Sequence, residues 1–370
     1  MKSEIMLRAL ALAETARGRT SPNPLVGAVL IKNGKIVAEG FHEKAGKDHA
    51  EIVAMKKAKG NAKGATLYVT LEPCCHEGKT PPCADAIIGA GIAKVVVATP
   101  DPNPLVAGKG IARLKKAGIT VMVGLLQKEA RQLNEGWNKF ITQKLPFVTL
   151  KAACSLDGKI AAEDGSSKWI SNELSRQKVH EMRAAADAVM VGVNTVLKDD
   201  PRLNVRLPKK TGFTHPLRVI VDTNLDTPPD AAALHSAGGK VLIATASDNS
   251  RRVKALEEEG ADVLRLPEKN KRVSLKELLV ELGSRGVVNL MIEGGGELYT
   301  AALNEGIVDK LALFYAPVLI GGGRYQVFGG AGVKTMADAI AIHNMTVTPI
   351  GDARLSKFSV NFLVEGYICR

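Results

Sequence analysis

The sequence predicts an α/β protein made of two such domains in series. Three observations carry that reading. Strand-like and helical runs alternate from the first residues onward, the alternation breaks at Leu145-Pro146 and then restarts, and 370 residues exceed the roughly 100–200 of a single domain. The domains are therefore expected over 1–146 and 147–370. A composition of 45% hydrophobic and 24% charged residues suffices for a core in each half and excludes a disordered chain.

In the first half, Ile5, Met6, Leu10 and Ala13 share one face of an opening amphipathic helix. Leu25–Ile31 and Lys35–Gly40 flank Asn33-Gly34, a strong hairpin signal. Helices are expected over His49–Lys59, Cys83–Ala90, Gly108–Ala117 and Gln127–Lys139, and strands over Ala65–Leu71, Lys94–Ala98 and Thr120–Gly124. In the second half, strands are expected over Phe147–Ala153, Ala188–Gly192, Arg218–Asp222, Lys240–Ala244 and Val288–Ile292. Helices are expected over Glu173–Ala185, Lys276–Ser284 and Glu297–Asn304. The stretches 199–216 and 223–239 read as loops, and 245–287 otherwise as solvated helix faces and loops with no site.

Charge is unevenly spread over the chain. Residues 1–146 carry 22 Lys+Arg against 12 Asp+Glu, a net of +10, whereas residues 147–370 carry 28 against 26, a net of +2. The surplus suits a nucleic acid or a phosphorylated small molecule. With only 4% aromatic residues there is little for bases to stack on, and the lysines near 56–63 read as a solvated helix end. No run reaches the roughly 18 apolar residues of a membrane span, and Glu4 and Arg8 interrupt the apolar start that a signal peptide needs, so a soluble cytoplasmic protein is expected.

Of five cysteines, at 74, 75, 83, 154 and 369, three fall within ten residues. An odd number without a secretory signal argues against a disulfide framework and for metal or catalysis. His49-Ala50-Glu51 lies 25 residues upstream of Pro73-Cys74-Cys75-His76, which leads to Pro81-Pro82-Cys83. One imidazole and two thiolates give zinc three ligands and leave a fourth position open, the mark of a catalytic site. Zinc acidifies a bound water from a pKa of 15.7 towards about 7, and Glu51 is placed to shuttle its proton to the substrate nitrogen and the departing ammonia. Cys83 opens a helix, whose positive end favours thiolate. Cys75 and His76 are rival ligands. A structural zinc knuckle of Cys74, Cys75, His76 and Cys83 is the plainer alternative, but it leaves His49-Ala50-Glu51 unused.

H-x-E followed by P-C-x-x-C resembles the signature of zinc-dependent cytidine and nucleobase deaminases. Eight residues rather than two separate Cys74 from Cys83, and Cys74 is preferred as the ligand because it follows Pro73. The expanded run Glu72-Pro73-Cys74-Cys75-His76-Glu77-Gly78-Lys79-Thr80-Pro81-Pro82-Cys83 looks like the deaminase half of the bifunctional deaminase/reductases of riboflavin biosynthesis. Ser21-Pro22-Asn23-Pro24-x-Val26-Gly27 and Asp101-Pro102-Asn103-Pro104 also match that family, while Cys75 stands where a small polar residue is expected. Asn23 offers the donor and acceptor that a pyrimidine edge requires, and Asp101 and Asn103 follow a strand end, where α/β proteins place ligand contacts. Each would otherwise read as a turn-maker.

The second half resembles the reductase half of the same family. The matching runs are Lys151–Ala161, Ser167–Ser171, Asp187–Gly192, Thr195–Pro201 and Glu293-Gly294-Gly295-Gly296-Glu297-Leu298. The resemblance implies a cytidine-deaminase-like three-layer domain followed by a dihydrofolate-reductase-like domain that uses NADPH. It places Ala153, Trp169, Thr195, Asp199, Thr223, Gly295, Gly296, Glu297, Leu298, Tyr299, Thr300 and Ala301 at the cofactor. Ser167, Arg183, Leu203, Arg206 and Glu293 fall at the substrate, with Lys151 as a catalytic residue. Glycines before a helix expose N–H groups suited to a pyrophosphate, and the two arginines suit a ribose phosphate. The plainer readings are a Lys151–Glu293 salt bridge, a buried Trp169 and a turn at Gly321-Gly322-Gly323-Arg324.

The resemblance implies deamination of 2,5-diamino-6-(5-phosphoribosylamino)pyrimidin-4(3H)-one, then reduction of 5-amino-6-(5-phosphoribosylamino)uracil to its ribitylamino product. The apolar strand surface of the second half suits a homo-oligomer. A deaminase of tRNA or DNA bases would leave the second half without a task. A non-catalytic zinc module would leave Glu51 without one.

Overall fold

The computed structural model describes residues 2–75, 82–207, 213–330, 332–351 and 360–368. His76 and Cys369 lie outside the described residues. The chain divides into two compact units, Met1–Lys144 and Leu145–Arg370.

The first unit runs α1 (Lys2–Glu14), β1 (Gly27–Lys32), β2 (Lys35–Phe41), α2 (Ala50–Lys57), β3 (Thr66–Val69), α3 (Cys83–Gly89), β4 (Lys94–Val97), α4 (Lys109–Lys116), β5 (Thr120–Val123), α5 (Gln127–Leu133) and α6 (Glu135–Gln143). Its sheet has the order β2-β1-β3-β4-β5; β1 is antiparallel to β2 and β3, and β3, β4 and β5 are parallel. Period-two alternation sends side chains to opposite faces and explains the three layers. Ala28, Leu30, Leu67, Val69, Val95 and Val97 pack on α2, α3 and α4, while Val29, Tyr68 and Val96 pack on Met6, Ala9 and Ala130 of α1 and α5.

The helix expected over Gln127–Lys139 is two helices that meet at Asn134. The buried Asn134 side chain accepts from the Leu25 N–H at 2.8 Å and donates to the Leu25 carbonyl at 2.9 Å. That tie to a distant loop outweighs helix continuity, and no local pattern announces it.

The second unit runs β6 (Phe147–Ser155), α7 (Glu173–Ala185), β7 (Ala188–Gly192), α8 (Val193–Asp199), β8 (Leu217–Val221), α9 (Ala232–His235), β9 (Val241–Thr245), α10 (Ser250–Glu258), β10 (Ala261–Arg265), β11 (Glu268–Lys269), β12 (Arg272–Val273), α11 (Leu275–Ser284), β13 (Asn289–Gly294), α12 (Gly296–Asn304), β14 (Lys310–Ala316), β15 (Ile342–Ile350) and β16 (Asn361–Ile368). Nine strands form one sheet in the order β10-β9-β8-β7-β13-β6-β14-β16-β15. The first seven in that order are mutually parallel, and β16 and β15 are antiparallel additions.

Within 245–287, read as solvated helix faces and loops besides the helix over Lys276–Ser284, the structure holds the helix α10 and, as a correction, the strand β10 and the β11–β12 hairpin. It also adds α8, the four-residue α9 inside 223–239, and β14–β16, which the sequence reading left unassigned. Strand β10 is a half-covered edge, and β15 is exposed over almost its whole length.

Candidate functional site

In the first unit the chemistry gathers at two helix starts. His49 is the N-cap of α2, Glu51 lies in its first turn, and Cys83 opens α3. Cys74 sits on the loop after β3 and accepts from the Cys83 backbone N–H at 3.3 Å. His49 Nδ1 lies 3.1 Å from Cys83 Sγ and 3.6 Å from Cys74 Sγ, and the three ligand atoms fall within 4.8 Å of one another. One nitrogen and two sulfurs so placed fit zinc.

The hydrogen bond from Cys83 brings the Cys74 thiol down to about 4, and the same bond drives Cys83 up. The hydrogen bond to Cys74 raises His49 above an ordinary histidine. Glu51 is 3% exposed, and burial lifts its carboxyl to about 7, inside the range where it can both take and give a proton. Cys75 is partly exposed, and its backbone carbonyl accepts from Arg113 at 3.2 Å.

Asn23, Asp101 and Asn103 occupy loops of the same unit. Asn23 Nδ2 donates to His42 Nε2 at 3.1 Å, and His42 Nδ1 donates to the Asp48 carbonyl at 3.1 Å, which fixes one tautomer. Burial lowers the pKa of His42, and its ring meets that of His49 edge-on with centroids 5.5 Å apart. Asp101 accepts the Asn103 N–H at 2.7 Å, and burial raises its carboxyl to about 7.

Sequence reasoning missed His42 and the role of Glu72. Buried Glu72 accepts the N–H groups of Asp101, Gly108 and Ile111 at 3.1, 3.0 and 3.0 Å, so it ties the Asp101–Asn103 loop to the segment that carries Cys74. Gly110 permits this close packing, because a Cβ there would lie 2.0 Å from the Pro73 carbonyl oxygen. The only signals in the sequence were proximity to Cys74 and to the second histidine.

In the second unit, β7, β8 and β13 run parallel, and their carboxyl ends bring Thr195, Thr223 and Gly295 to one edge of the sheet, the usual ligand side of such sheets. Thr195 Oγ1 would lie 3.0 and 3.2 Å from a Cβ added at Gly294 and Gly295, so these two glycines allow the threonine to pack closely. Helix α12 starts from Gly295 with no side-chain cap, which leaves first-turn N–H groups available to an anion. Thr300 Oγ1 donates to the Gly329 carbonyl at 2.6 Å. Glu297 and Asp199 are exposed, and Ala153 and Ala301 are half-buried.

Leu298 and Tyr299 point the other way. Both are in the core, and the Tyr299 hydroxyl donates to the Lys151 carbonyl at 2.7 Å, so only their backbone can serve a cofactor. Leu203 is also buried, at 2% exposure, and can offer a substrate only its main chain. Trp169 is not buried: it is 71% exposed and lies under the Arg176 guanidinium, 4.4 Å from the ring centre. Ser167, two residues before it in the chain, is half-buried.

The ion pair is also not the one the sequence suggested. Glu293 takes Arg183, with Nε–Oε1 at 2.5 Å and Nη2–Oε2 at 2.6 Å, and side-chain exposures of 12% and 4%. Arg183 Nη1 donates further to the Asn204 carbonyl at 3.1 Å, so its guanidinium is largely engaged by the protein. Burial pushes the Glu293 carboxyl up, but Arg183 and then Lys151 more than offset this and leave it below the usual range. Burial lowers Lys151 in turn, partly offset by Glu293. His180 falls to about 4 through burial and the nearby Arg183 and Arg206. Arg206 is exposed and donates to Asn204 Oδ1 at 2.6 Å.

Gly321–Arg324 belongs to a loop held by Asp157, which accepts the Ile320 and Gly321 N–H groups at 3.1 and 2.7 Å. Those bonds and one from Ser155, the largest contributor, hold Asp157 at about 2.

Residues 1–99 match the cytidine and deoxycytidylate deaminase zinc-binding region, and residues 146–353 match the RibD C-terminal domain. The chain is 47% identical over 348 residues to the riboflavin biosynthesis protein RibD of Aquifex aeolicus, covering 94% of this chain and 95% of that one. It is 40% identical to the Escherichia coli protein of that name, covering 90% and 92%. The solved Acinetobacter baumannii RibD superposes with a TM-score of 0.87 at 37% identity, covering 100% and 99%. A Thermotoga maritima diaminohydroxyphosphoribosylaminopyrimidine deaminase/5-amino-6-(5-phosphoribosylamino)uracil reductase gives 0.85 at 36%, covering 99% and 98%. No helix among the described residues is long and apolar enough to cross a membrane. With a zinc-binding deaminase domain followed by an NADPH-dependent reductase domain, the chain belongs to the RibD family of bifunctional riboflavin biosynthesis enzymes.

Proposed function

We propose that the 1–146 domain deaminates 2,5-diamino-6-(5-phosphoribosylamino)pyrimidin-4(3H)-one and that the 147–370 domain then reduces 5-amino-6-(5-phosphoribosylamino)uracil to its ribitylamino product. The convergence of His49, Cys74 and Cys83 beside buried Glu51 carries this reading. These three residues would hold the zinc, which when bound supplies a Lewis acid that acidifies water. The Glu51 carboxylate would take one proton of the attacking water and give it to the ring nitrogen, then take the remaining hydroxyl proton and give it to the amino group that leaves as ammonia. Asn23 and Asn103 orient the pyrimidine, and Asp101 positions Asn103 through its backbone N–H.

In the second domain NADPH supplies the hydride when bound. The uncapped α12 start, Gly295–Ala301, would hold its pyrophosphate, and Ala153, Trp169, Thr195, Asp199 and Thr223 would line its remaining length. Ser167, Leu203 and Arg206 hold the substrate, and Arg183 with Glu293 fixes the floor on which its ribose rests. Lys151 Nζ holds the proton that the sugar oxygen takes up as the ring opens to an electrophilic C1′.

The positive surplus of the first half serves this phosphorylated substrate rather than nucleic acid. Free thiols at Cys74, Cys75, Cys83 and Cys154 suit a reducing cytoplasm. Ile342, Met345 and Val347 on the outermost strand β15, with Phe362 of β16 opposite Pro349, are exposed and apolar and suit a homo-oligomer contact.

The test is a coupled assay on the zinc-loaded protein. Ammonia should appear without NADPH, and nicotinamide absorbance should fall only once NADPH is added. No ammonia from folded, metal-loaded protein would refute the substrate assignment. Salt-sensitive RNA deamination in its place would favour the nucleic-acid reading.

A further inference from the structure

The β11–β12 hairpin lies within 245–287, the stretch that reads in sequence as solvated helix faces and loops with no site. The structure gives it two attachments. The Val273 N–H donates to Thr223 Oγ1 at 3.3 Å, which fastens the hairpin beyond the carboxyl end of β8. Arg272 Nη2 reaches Glu297 Oε2 in the first turn of α12 at 3.1 Å. The hairpin therefore bridges Thr223 and the start of α12, two points that the family resemblance places at the cofactor.

Lys269 and Arg272 are cross-strand partners, which puts both side chains on one face of the hairpin, while Val273 of the other face is buried in the core. Asn270 and Lys271 form the tip with φ of 52° and 61°. Residues 268–272 thus hold three cations and one carboxylate at the rim of the site. The Arg272–Glu297 pair is 55% and 65% exposed, a weakly held contact that a doubly charged phosphate can displace by taking the guanidinium bidentately.

We infer that Arg272 and Lys269 bind the 2′-phosphate of the adenosine ribose and so set the preference for NADPH over NADH, with Glu297 as the carboxylate that occupies Arg272 until the phosphate arrives. This rests on the reading of the second domain as a dinucleotide-dependent reductase.

The test is calorimetric titration of the full-length protein with 2′,5′-ADP and with 5′-AMP, alongside reductase rates with NADPH and NADH. Arg272→Gln and Lys269→Gln should each weaken 2′,5′-ADP at least tenfold and leave 5′-AMP within twofold. Each should also raise KM for NADPH but not for NADH. Glu297→Gln should act in the opposite direction and tighten 2′,5′-ADP, which general damage to the fold would not do. Wild-type protein that binds 2′,5′-ADP no better than 5′-AMP overturns the inference. So do variants that weaken both nucleotides equally, or that leave the preference intact. If the wild type oxidises neither NADPH nor NADH with the uracil substrate, the reductase reading fails with it. Oxidation of NADPH with the preference unchanged in the variants sinks only the hairpin's role.

Discussion

The two halves build their sites in opposite ways. In the first, three ligand atoms from two helix starts and one loop lie within 4.8 Å of one another, with the buried acid two residues from His49 in the first turn of α2. In the second, the implicated groups are spread along the carboxyl ends of β6, β7, β8 and β13, and the strongest charges there, Arg183 and Glu293, are already paired. A metal centre can be compact because coordination bonds are few and strong. A dinucleotide and a sugar phosphate need a long surface, on which each group contributes a little. Damage to the first site should therefore be all-or-none, and damage to the second graded.

Zinc removal should give the largest effect. Chelation should reduce ammonia release by a factor on the order of 10³ or more, while reduction of the uracil substrate stays within about twofold. Restored zinc should bring ammonia release back. Loss of both activities together would mean that the halves are not separable and would break the comparison.

Glu293→Gln should come next. It leaves Arg183 without a carboxylate in a largely buried setting, at a cost of about 3 kcal/mol in unfolding stability. The reductase should lose roughly 10²-fold in kcat/KM, about the same free energy, and ammonia release should not change. Denaturant melts followed with both activity assays check this, and a variant as stable and active as wild type would remove the pair from the account.

Asn134→Ala should be the smallest. Leu25 would lose the partners of its N–H and its carbonyl, for about 2 kcal/mol confined to the first unit. Because Asn23 is two residues away on the same loop, a rise in KM for the diaminopyrimidine should accompany the loss, and the reductase should be spared.

The same contrast explains what could be read from sequence. His49, Glu51, Cys74 and Cys83 announce themselves because metal chemistry admits few residue types at such spacings. The parallel core of the second unit, β6 to β9 with β13, was legible as apolar runs between turn signals. Tertiary choices were not. Asn134 splits a helix through a bond to a residue 109 positions away, and Glu293 selects Arg183 across 110. Trp169 looked like core by residue type, yet it lies exposed under Arg176. Leu203, Leu298 and Tyr299 fell within site motifs, but their side chains serve the core beneath. A motif locates the main chain of a site and does not say which way each side chain faces.

The most direct test of two separate sites acting in order is a Glu51→Gln protein, zinc-loaded and given NADPH. It is offered either the diaminopyrimidine ribosyl phosphate or the already deaminated uracil. The account predicts zinc content equal to wild type and ammonia release lower by about 10²–10⁴-fold. NADPH should be oxidised at the wild-type rate with the uracil and hardly at all with the diaminopyrimidine. Rapid NADPH oxidation with the diaminopyrimidine in this variant would contradict the order, and undiminished ammonia release would remove Glu51 from the chemistry.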